Sequence, residues 1–160
     1  MWKAKNISIK TKMKIYHALV EPVLLYGSET WCLKKEDERR LLVAEMNWLR
    51  RIRGRSRREK IRNEVTRREL GVTETIIEKI RKRRLSWFGH VERMDEKRIA
   101  NAALHSHVEG ERSRGRQRKT WMDNIREDLK KQDTEISKIS ETIRNREKWR
   151  NFIKASSLGT

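Results

Sequence analysis

The residues of this chain that could do chemistry are few, and their spacing does not favour catalysis. Two-metal phosphoryl transfer needs two or three carboxylates that converge on one site, and the densest acidic run is Glu36–Glu38. That run lies in the predicted first turn of a helix, where carboxylates complement the helix dipole. His105 and His107 form an H-x-H pair without a third ligand nearby, and Cys32 is a lone thiol. We therefore predict no enzyme, no metal site, no cofactor and no small-molecule substrate.

The basic residues indicate a different chemistry, the binding of polyanions. The 160-residue chain has 41 Lys and Arg against 23 Asp and Glu, a formal net charge of +18. This excess favours nucleic acid as the partner, because cations that neutralise phosphates release condensed counterions. An anionic membrane surface, an acidic protein and a merely solvated basic surface are the alternatives. There is no apolar run of membrane-spanning length and no signal-peptide region, so we expect neither a membrane span nor secretion.

One predicted helix, from Thr73 or Thr75 to about Arg93, carries basic residues on one face. Apolar side chains at helical spacing form the opposite face. The basic face collects Lys79, Lys82, Ser86, Gly89 and Arg93, with His90 on its flank. Lysine and arginine supply charge, and the small Ser86 and Gly89 would let a sugar–phosphate backbone approach the helix. We predict a nucleic-acid-binding surface here, with a solvated lysine-rich face as the alternative.

A second basic signal follows in a segment without apolar periodicity. Arginine recurs at every second position, at Arg112, Arg114, Arg116 and Arg118, with Lys119 next. In an extended chain these arginines share one side and could follow phosphates or enter a minor groove. The RGR core resembles the AT-hook, but Gln117 stands where that motif has Pro. We therefore predict phosphate binding rather than A·T readout, with a flexible solubilising linker as the alternative.

The hydrophobic periodicity is helical throughout, and no segment alternates as a β-strand does. The predicted helices cover 8–26, with an interruption at Pro22, and then 36–53, 56–70, 75–93, 97–104, 121–131 and 135–153. This pattern predicts an all-α fold. We expect a unit of about five helices over 1–105, a basic Arg/Gly linker over 106–119 and a C-terminal helical pair over 120–160.

Two charged residues interrupt the apolar faces of these helices. Glu45 lies in the middle of the apolar arc of the 36–53 helix, and Arg84 in that of the 75–93 helix. Burial of either charge without a partner would cost several kcal/mol. We therefore predict that each is paired, and pairing with one another is one way to achieve this.

Five segments, taken in order, resemble a known family. They are YxxLVEPVLLYGSETW (Tyr16–Trp31), LRRIRG (Leu49–Gly54), RRLSWFGHVERM (Arg83–Met94), RGRQRKTWMDNIREDL (Arg114–Leu129) and NREKWR (Asn145–Arg150). Their order is similar to that found downstream of the polymerase core in endonuclease/reverse transcriptases of LINE-type, non-LTR retrotransposons. The chain departs from the family at Gln117, usually Pro, and at Asn145, usually Asp. The second departure predicts the loss of a helix-terminal contact.

The resemblance implies that the chain matches the thumb and post-palm region of an RNA-directed DNA polymerase, which grips template and primer. The family's aromatic-x-Asp-Asp signature occurs nowhere in the 160 residues, so the resemblance implies a transposable-element product without polymerase catalysis. Its expected partners are RNA, DNA or a hybrid duplex, and a polymerase palm domain. The alternatives are a structural fragment that docks on a missing palm and a non-functional retroelement remnant. The cellular location stays open, although basic runs such as Arg81–Arg84 favour the nucleus.

Overall fold

Helices dominate the chain, and the predicted all-α fold class is confirmed. The computed structural model describes residues 2, 4, 6–106, 114–115 and 118–155, and none of these residues lies in a β-strand. The α-helices are α1 (Ile9–Ile15), α2 (Glu21–Leu24), α3 (Lys35–Arg53), α4 (Asn63–Glu69), α5 (Ile76–Glu92), α6 (Ile99–His105), α7 (Trp121–Lys130), α8 (Ile136–Arg144) and α9 (Arg146–Ala155). A π-helical turn at Tyr16–Val20 joins α1 to α2, and 3-10 turns lie at Ser28–Thr30 and Arg57–Glu59.

Local sequence signals account for several helix ends. Thr75 and Glu78 form a reciprocal cap at the start of α5, with the Thr75 N–H donating to the Glu78 carboxylate at 2.6 Å and the Glu78 N–H donating to the Thr75 hydroxyl at 3.2 Å. Thr120 caps α7 in the same way through Asp123. Gly54 ends α3 in the left-handed conformation, with φ of 75°, which a residue without Cβ adopts freely.

Three predicted helices differ from the observed ones. The 8–26 helix changes register at the π-helical turn, and Pro22 lies in the first turn of α2, where its missing donor is tolerated. The 56–70 helix is reduced to the Arg57–Glu59 turn and α4, because Lys60 takes a left-handed conformation, with φ of 51°. The 135–153 helix is divided into α8 and α9 at Asn145.

Asn145 begins a new helix instead of continuing the old one. Its backbone is extended, with φ of −88° and ψ of 108°, and its side-chain oxygen accepts hydrogen bonds from the Glu147 and Lys148 N–H groups, both at 3.0 Å. This is the geometry of an N-cap. The prediction that Asn145 loses a helix-terminal contact is therefore wrong, since the amide oxygen makes that contact.

The contacts divide the chain into two compact units, which are described separately. The first comprises Met1–Ser28 and Leu33–Ile80, and the second comprises Glu29–Cys32 and Arg81–Thr160. The division of the chain into 1–105, 106–119 and 120–160 stays a prediction. Leu85 and Phe88 of α5 share a core with helices α7 to α9, because a helix joins whichever neighbours bury its apolar face. Most of the predicted linker, 106–119, lies outside the described residues.

An apolar cluster forms part of the core of the first unit, in which the charge of Glu45 is also buried. Its buried apolar residues are Met13, Tyr16, Met46, Leu49 and Ile52. The Glu45 carboxylate accepts a hydrogen bond from Arg67 at 2.8 Å and one from the Ile76 N–H at 2.9 Å. The predicted pairing of Glu45 is confirmed, and its partner is Arg67 rather than Arg84.

The core of the second unit includes an apolar cluster and a buried ion pair. Its buried apolar residues are Leu85, Phe88, Ile125, Leu129, Ile139, Ile143, Trp149 and Ile153. Arg84 of α5 donates two hydrogen bonds to one carboxylate oxygen of Asp128 in α7, at 2.8 and 2.6 Å. Arg81 donates to the other oxygen at 3.0 Å. The predicted pairing of Arg84 is therefore also confirmed, within the second unit.

Candidate nucleic-acid interface

A basic groove of about 550 Å³ lies between α5 and α9 in the second unit. Its lining is dominated by cationic side chains, and no Asp or Glu is among the described residues that line it. The basic groove is defined by Lys82, Arg83, Ser86, His90, Arg93, Arg146, Trp149, Arg150, Ile153 and Lys154. Six of these ten residues are lysine or arginine, so the lining can neutralise several phosphates at once.

Two rows of residues at helical spacing form the walls of the basic groove. Lys82, Ser86 and His90 are four residues apart on α5 and therefore share one face of that helix. Arg146, Arg150 and Lys154 repeat the same spacing on α9, and all three are exposed. Each helix therefore contributes one polar face to the basic groove, while its apolar face joins the core.

The floor of the basic groove depends on a glycine of α5. Gly89 is buried, and a Cβ atom added to it would overlap the indole of Trp149. The indole N–H donates to the Leu85 carbonyl at 3.1 Å, a contact that requires α9 to approach the α5 backbone closely. The reason given for Gly89 from the sequence is therefore corrected. Its missing side chain makes room for Trp149, and it lies under that ring rather than on an open surface.

Replacing Gly89 with Ala tests this packing, because the contact with Trp149 determines whether the substitution raises or lowers the free energy of unfolding. Alanine in a helix interior is better than glycine by about 0.5–1 kcal/mol, whereas overpacking a closed contact typically costs about 1–3 kcal/mol. We expect packing to dominate, so Gly89→Ala lowers the free energy of unfolding by about 1–2 kcal/mol in urea titrations. In a Trp149→Phe background, where the ring is smaller, the same substitution should cost less. Stabilisation by Gly89→Ala would contradict the packing role.

Two of the cationic side chains in the basic groove, Arg93 and Arg146, repel one another. Arg93 donates one hydrogen bond to the Ile143 carbonyl at 2.8 Å, which has no full negative charge. Burial and the neighbouring positive charge of Arg146 both lower the pKa of Arg93 from its ordinary value. A phosphate beside Arg93 and Arg146 would offset this repulsion, because it supplies a negative charge.

Two predicted binding residues already have carboxylate partners. Lys79, which belongs to the first unit, is 2.7 Å from Glu21. Partial burial raises the pKa of Glu21, but hydrogen bonds from Lys79 and His17 lower it further, so that its pKa lies below the ordinary value. Lys119 is 2.6 Å from Glu127 and is largely covered, with 20% of its side chain exposed. Neither lysine lines the basic groove.

The remaining predicted residues divide between the basic groove and the linker. Lys82, Ser86, His90 and Arg93 all line the basic groove. Arg114 and Arg118 are exposed, whereas Arg112 and Arg116 lie outside the described residues.

Sequence reasoning missed one wall of the basic groove. Arg146, Arg150 and Lys154 were not among the predicted binding residues, although their four-residue spacing is visible in the sequence. The spacing alone shows that they share a face. It does not show that this face meets the basic face of α5, since that depends on the contact between Gly89 and Trp149.

The described residues include neither a cluster of metal-ligating side chains nor a membrane-spanning helix. No group of three or more His, Cys, Asp or Glu side chains converges among them. His105 lies 3.7 Å from Glu92, the Cys32 thiol donates to the Lys119 carbonyl at 2.9 Å, and His107 lies outside the described residues. None of the helices in this part of the chain is long and apolar enough to span a bilayer.

Comparison with known proteins gives one informative similarity. The chain is 24% identical over 158 residues to a Caenorhabditis elegans protein named as uncharacterized and transposon-derived. This similarity suggests a transposon-related origin. The match covers 94% of this chain and 57% of the relative, so the chain spans little more than half the length of that protein. No protein-family model and no solved structure matches the chain.

Proposed function

We propose that this chain is a nucleic-acid-binding module derived from the C-terminal region of a LINE-type reverse transcriptase. It grips RNA, DNA or a hybrid duplex through the basic groove and the arginine linker, and it has no polymerase catalysis of its own. The observation that supports the proposal most strongly is the composition of the basic groove, with six Lys or Arg residues and no acid among its described lining residues. The order of the five sequence segments and the similarity to a transposon-derived protein support the choice of family.

The physical argument for nucleic acid rests on how the charges are arranged. An exposed cation gains little from isolated surface pairing, and a cleft lined by one sign of charge concentrates ligands of the opposite sign. A polyanion supplies many phosphates at regular spacing, and each one that is neutralised releases counterions. The basic groove therefore suits a phosphate backbone better than a single small anion.

Salt titration of binding tests the proposal. With a short DNA duplex and an RNA–DNA hybrid as ligands, we expect the association constant to fall steeply as salt rises. Each neutralised phosphate contributes roughly −0.9 to the log–log slope on duplex DNA, so replacing Arg146 and Arg150 with Gln should reduce the magnitude of the slope by about 1.8. The measurement is fluorescence anisotropy of a labelled ligand at several salt concentrations.

The matched control removes two arginines elsewhere. Arg57 and Arg58 are exposed and lie outside the basic groove, so Arg57→Gln/Arg58→Gln changes the net charge by the same amount. Its slope should stay close to that of the unmodified chain. Equal reductions in both variants would show that net charge alone determines binding, and a flat salt dependence in the unmodified chain would contradict the proposal altogether.

A second candidate function is supported by an apolar surface on the first unit. Leu19, Val23 and Tyr26 follow one another at helical spacing and are 63%, 73% and 83% exposed. Such side chains suit a segment that docks on another protein, here the palm domain that the family resemblance implies. This alternative predicts self-association and an affinity for nucleic acid no higher than that of a scrambled peptide of equal charge. Analytical ultracentrifugation with a scrambled-peptide binding control distinguishes the two functions.

A further inference from the structure

An apolar cavity lies beside the basic groove in the second unit. It has a volume of about 510 Å³ and is lined mainly by apolar side chains. Trp87 and Val91 belong to α5, Leu104 to α6, and Trp121 and Met122 to α7. Neither the phosphate backbone nor the paired bases of a duplex would make use of such a lining, because both present polar edges or charge to the protein.

Trp87 connects this cavity to the basic groove. A smaller recess of about 340 Å³ is lined by Arg83, Ser86, Trp87, His90 and Glu29. Arg83, Ser86 and His90 also line the basic groove. Trp87 also lines the apolar cavity. The Trp87 ring is partly exposed, and its centroid is 5.5 Å from that of His90. Cationic side chains and a large aromatic ring therefore succeed one another along one side of α5.

We propose that the basic groove holds a single strand of nucleic acid and that an unpaired base of this strand stacks on Trp87 at the mouth of the apolar cavity. The inference rests on the proposed function and names its ligand more closely. Proteins that bind single strands combine a positive groove, which follows the phosphates, with aromatic side chains on which bases stack. A duplex offers only its phosphates here, because its bases are already paired and stacked.

The test compares ligands that differ only in their bases. One single-stranded oligonucleotide, prepared as DNA and as RNA, is measured beside its duplex and beside a DNA version in which several bases are replaced by abasic sites. We expect the single strand, in its DNA form or its RNA form, to bind more tightly than the duplex. The abasic strand should bind the unmodified chain more weakly, although it carries the same phosphates.

Substitutions at Trp87 locate the stacking contact. Trp87→Ala should weaken binding of the base-bearing strand by roughly 5- to 150-fold, the range observed when one base–aromatic contact is removed. The same substitution should leave binding of the abasic strand and of the duplex nearly unchanged, and Trp87→Phe should restore part of the lost affinity. Trp31, a partly exposed tryptophan that lines neither the cavity nor the basic groove, provides the matched control as Trp31→Ala.

The outcomes separate this inference from the proposed function. If no nucleic acid binds with steep salt dependence, the proposed function itself fails. If binding is steep in salt but the duplex and the abasic strand bind as tightly as the base-bearing single strand, only the stacking inference is overturned. An equal loss with Trp87→Ala for all ligands would likewise overturn it, since the effect would not depend on the base.

Discussion

Replacing Asp128 with Asn is expected to lower the free energy of unfolding by about 3–5 kcal/mol, because it leaves a buried guanidinium without a counter-charge. Arg84 is 1% exposed and Asp128 is 3% exposed, so solvent cannot replace the lost carboxylate. One guanidinium nitrogen of Arg84 already lacks a hydrogen-bond partner within the described residues. Single domains are typically stable by about 5–15 kcal/mol, so this loss is a large share of the total.

Urea unfolding followed by circular dichroism measures the effect, and the adjacent residue provides the control. Glu127 lies on the same helix as Asp128 but is exposed, and its partner is Lys119. Exposed ion pairs typically contribute about 0.2–1 kcal/mol, so Glu127→Gln should shift the unfolding midpoint only slightly. Equal shifts for Asp128→Asn and Glu127→Gln would show that the buried pair does not hold α5 against α7 as described.

Replacing Glu45 with Gln is expected to destabilise the first unit by about 2–3 kcal/mol, less than the change at Asp128. Its side chain is 3% exposed, but its partner Arg67 is 15% exposed and keeps some contact with water. The Glu45 carboxylate also accepts the Ile76 N–H at the start of α5. Burial, reinforced by the Glu45 charge, raises the pKa of Tyr16 above its ordinary value.

Glu36 of the same helix provides the comparison for Glu45. It forms exposed pairs with Arg39 and Arg40 at 3.8 and 3.5 Å, which are too long and too solvated to contribute much. Glu36→Gln should therefore leave the urea midpoint nearly unchanged. A loss at Glu45 no larger than that at Glu36 would contradict the assignment of Glu45 as the carboxylate that joins Arg67 to the start of α5.

Periodicity and polarity predicted much of the fold, because they depend on local geometry. The apolar spacing predicts most of the helices, and the cost of an unpaired buried charge predicts that Glu45 and Arg84 have partners. The identity of those partners could not be predicted. Arg67 and Asp128 meet these charges only through packing between helices that are distant in sequence, and an isolated helical wheel carries no such information.

The lining of the basic groove could be predicted only in part, because helical spacing shows which residues share a face but not what that face meets. Lys82, Ser86, His90 and Arg93 share a helix face and were found from their spacing alone. The opposite wall was missed, because its position depends on Trp149 resting on Gly89. Gly89 itself attracted attention as a small residue on a polar face, and the structure shows that its size serves the contact between two helices. That α5 contributes residues to both units likewise depends on packing that its own sequence does not reveal.

Salt dependence is the most direct test of the central claim, that the basic groove binds a nucleic-acid backbone. Binding of a short duplex and of a single strand is measured over a range of salt concentrations for the unmodified chain, for Arg146→Gln/Arg150→Gln and for Arg57→Gln/Arg58→Gln. We predict a steep slope that falls in magnitude by about 1.8 on duplex DNA only when the groove arginines are removed. A slope that is flat, or that changes equally in both variants, would contradict the account.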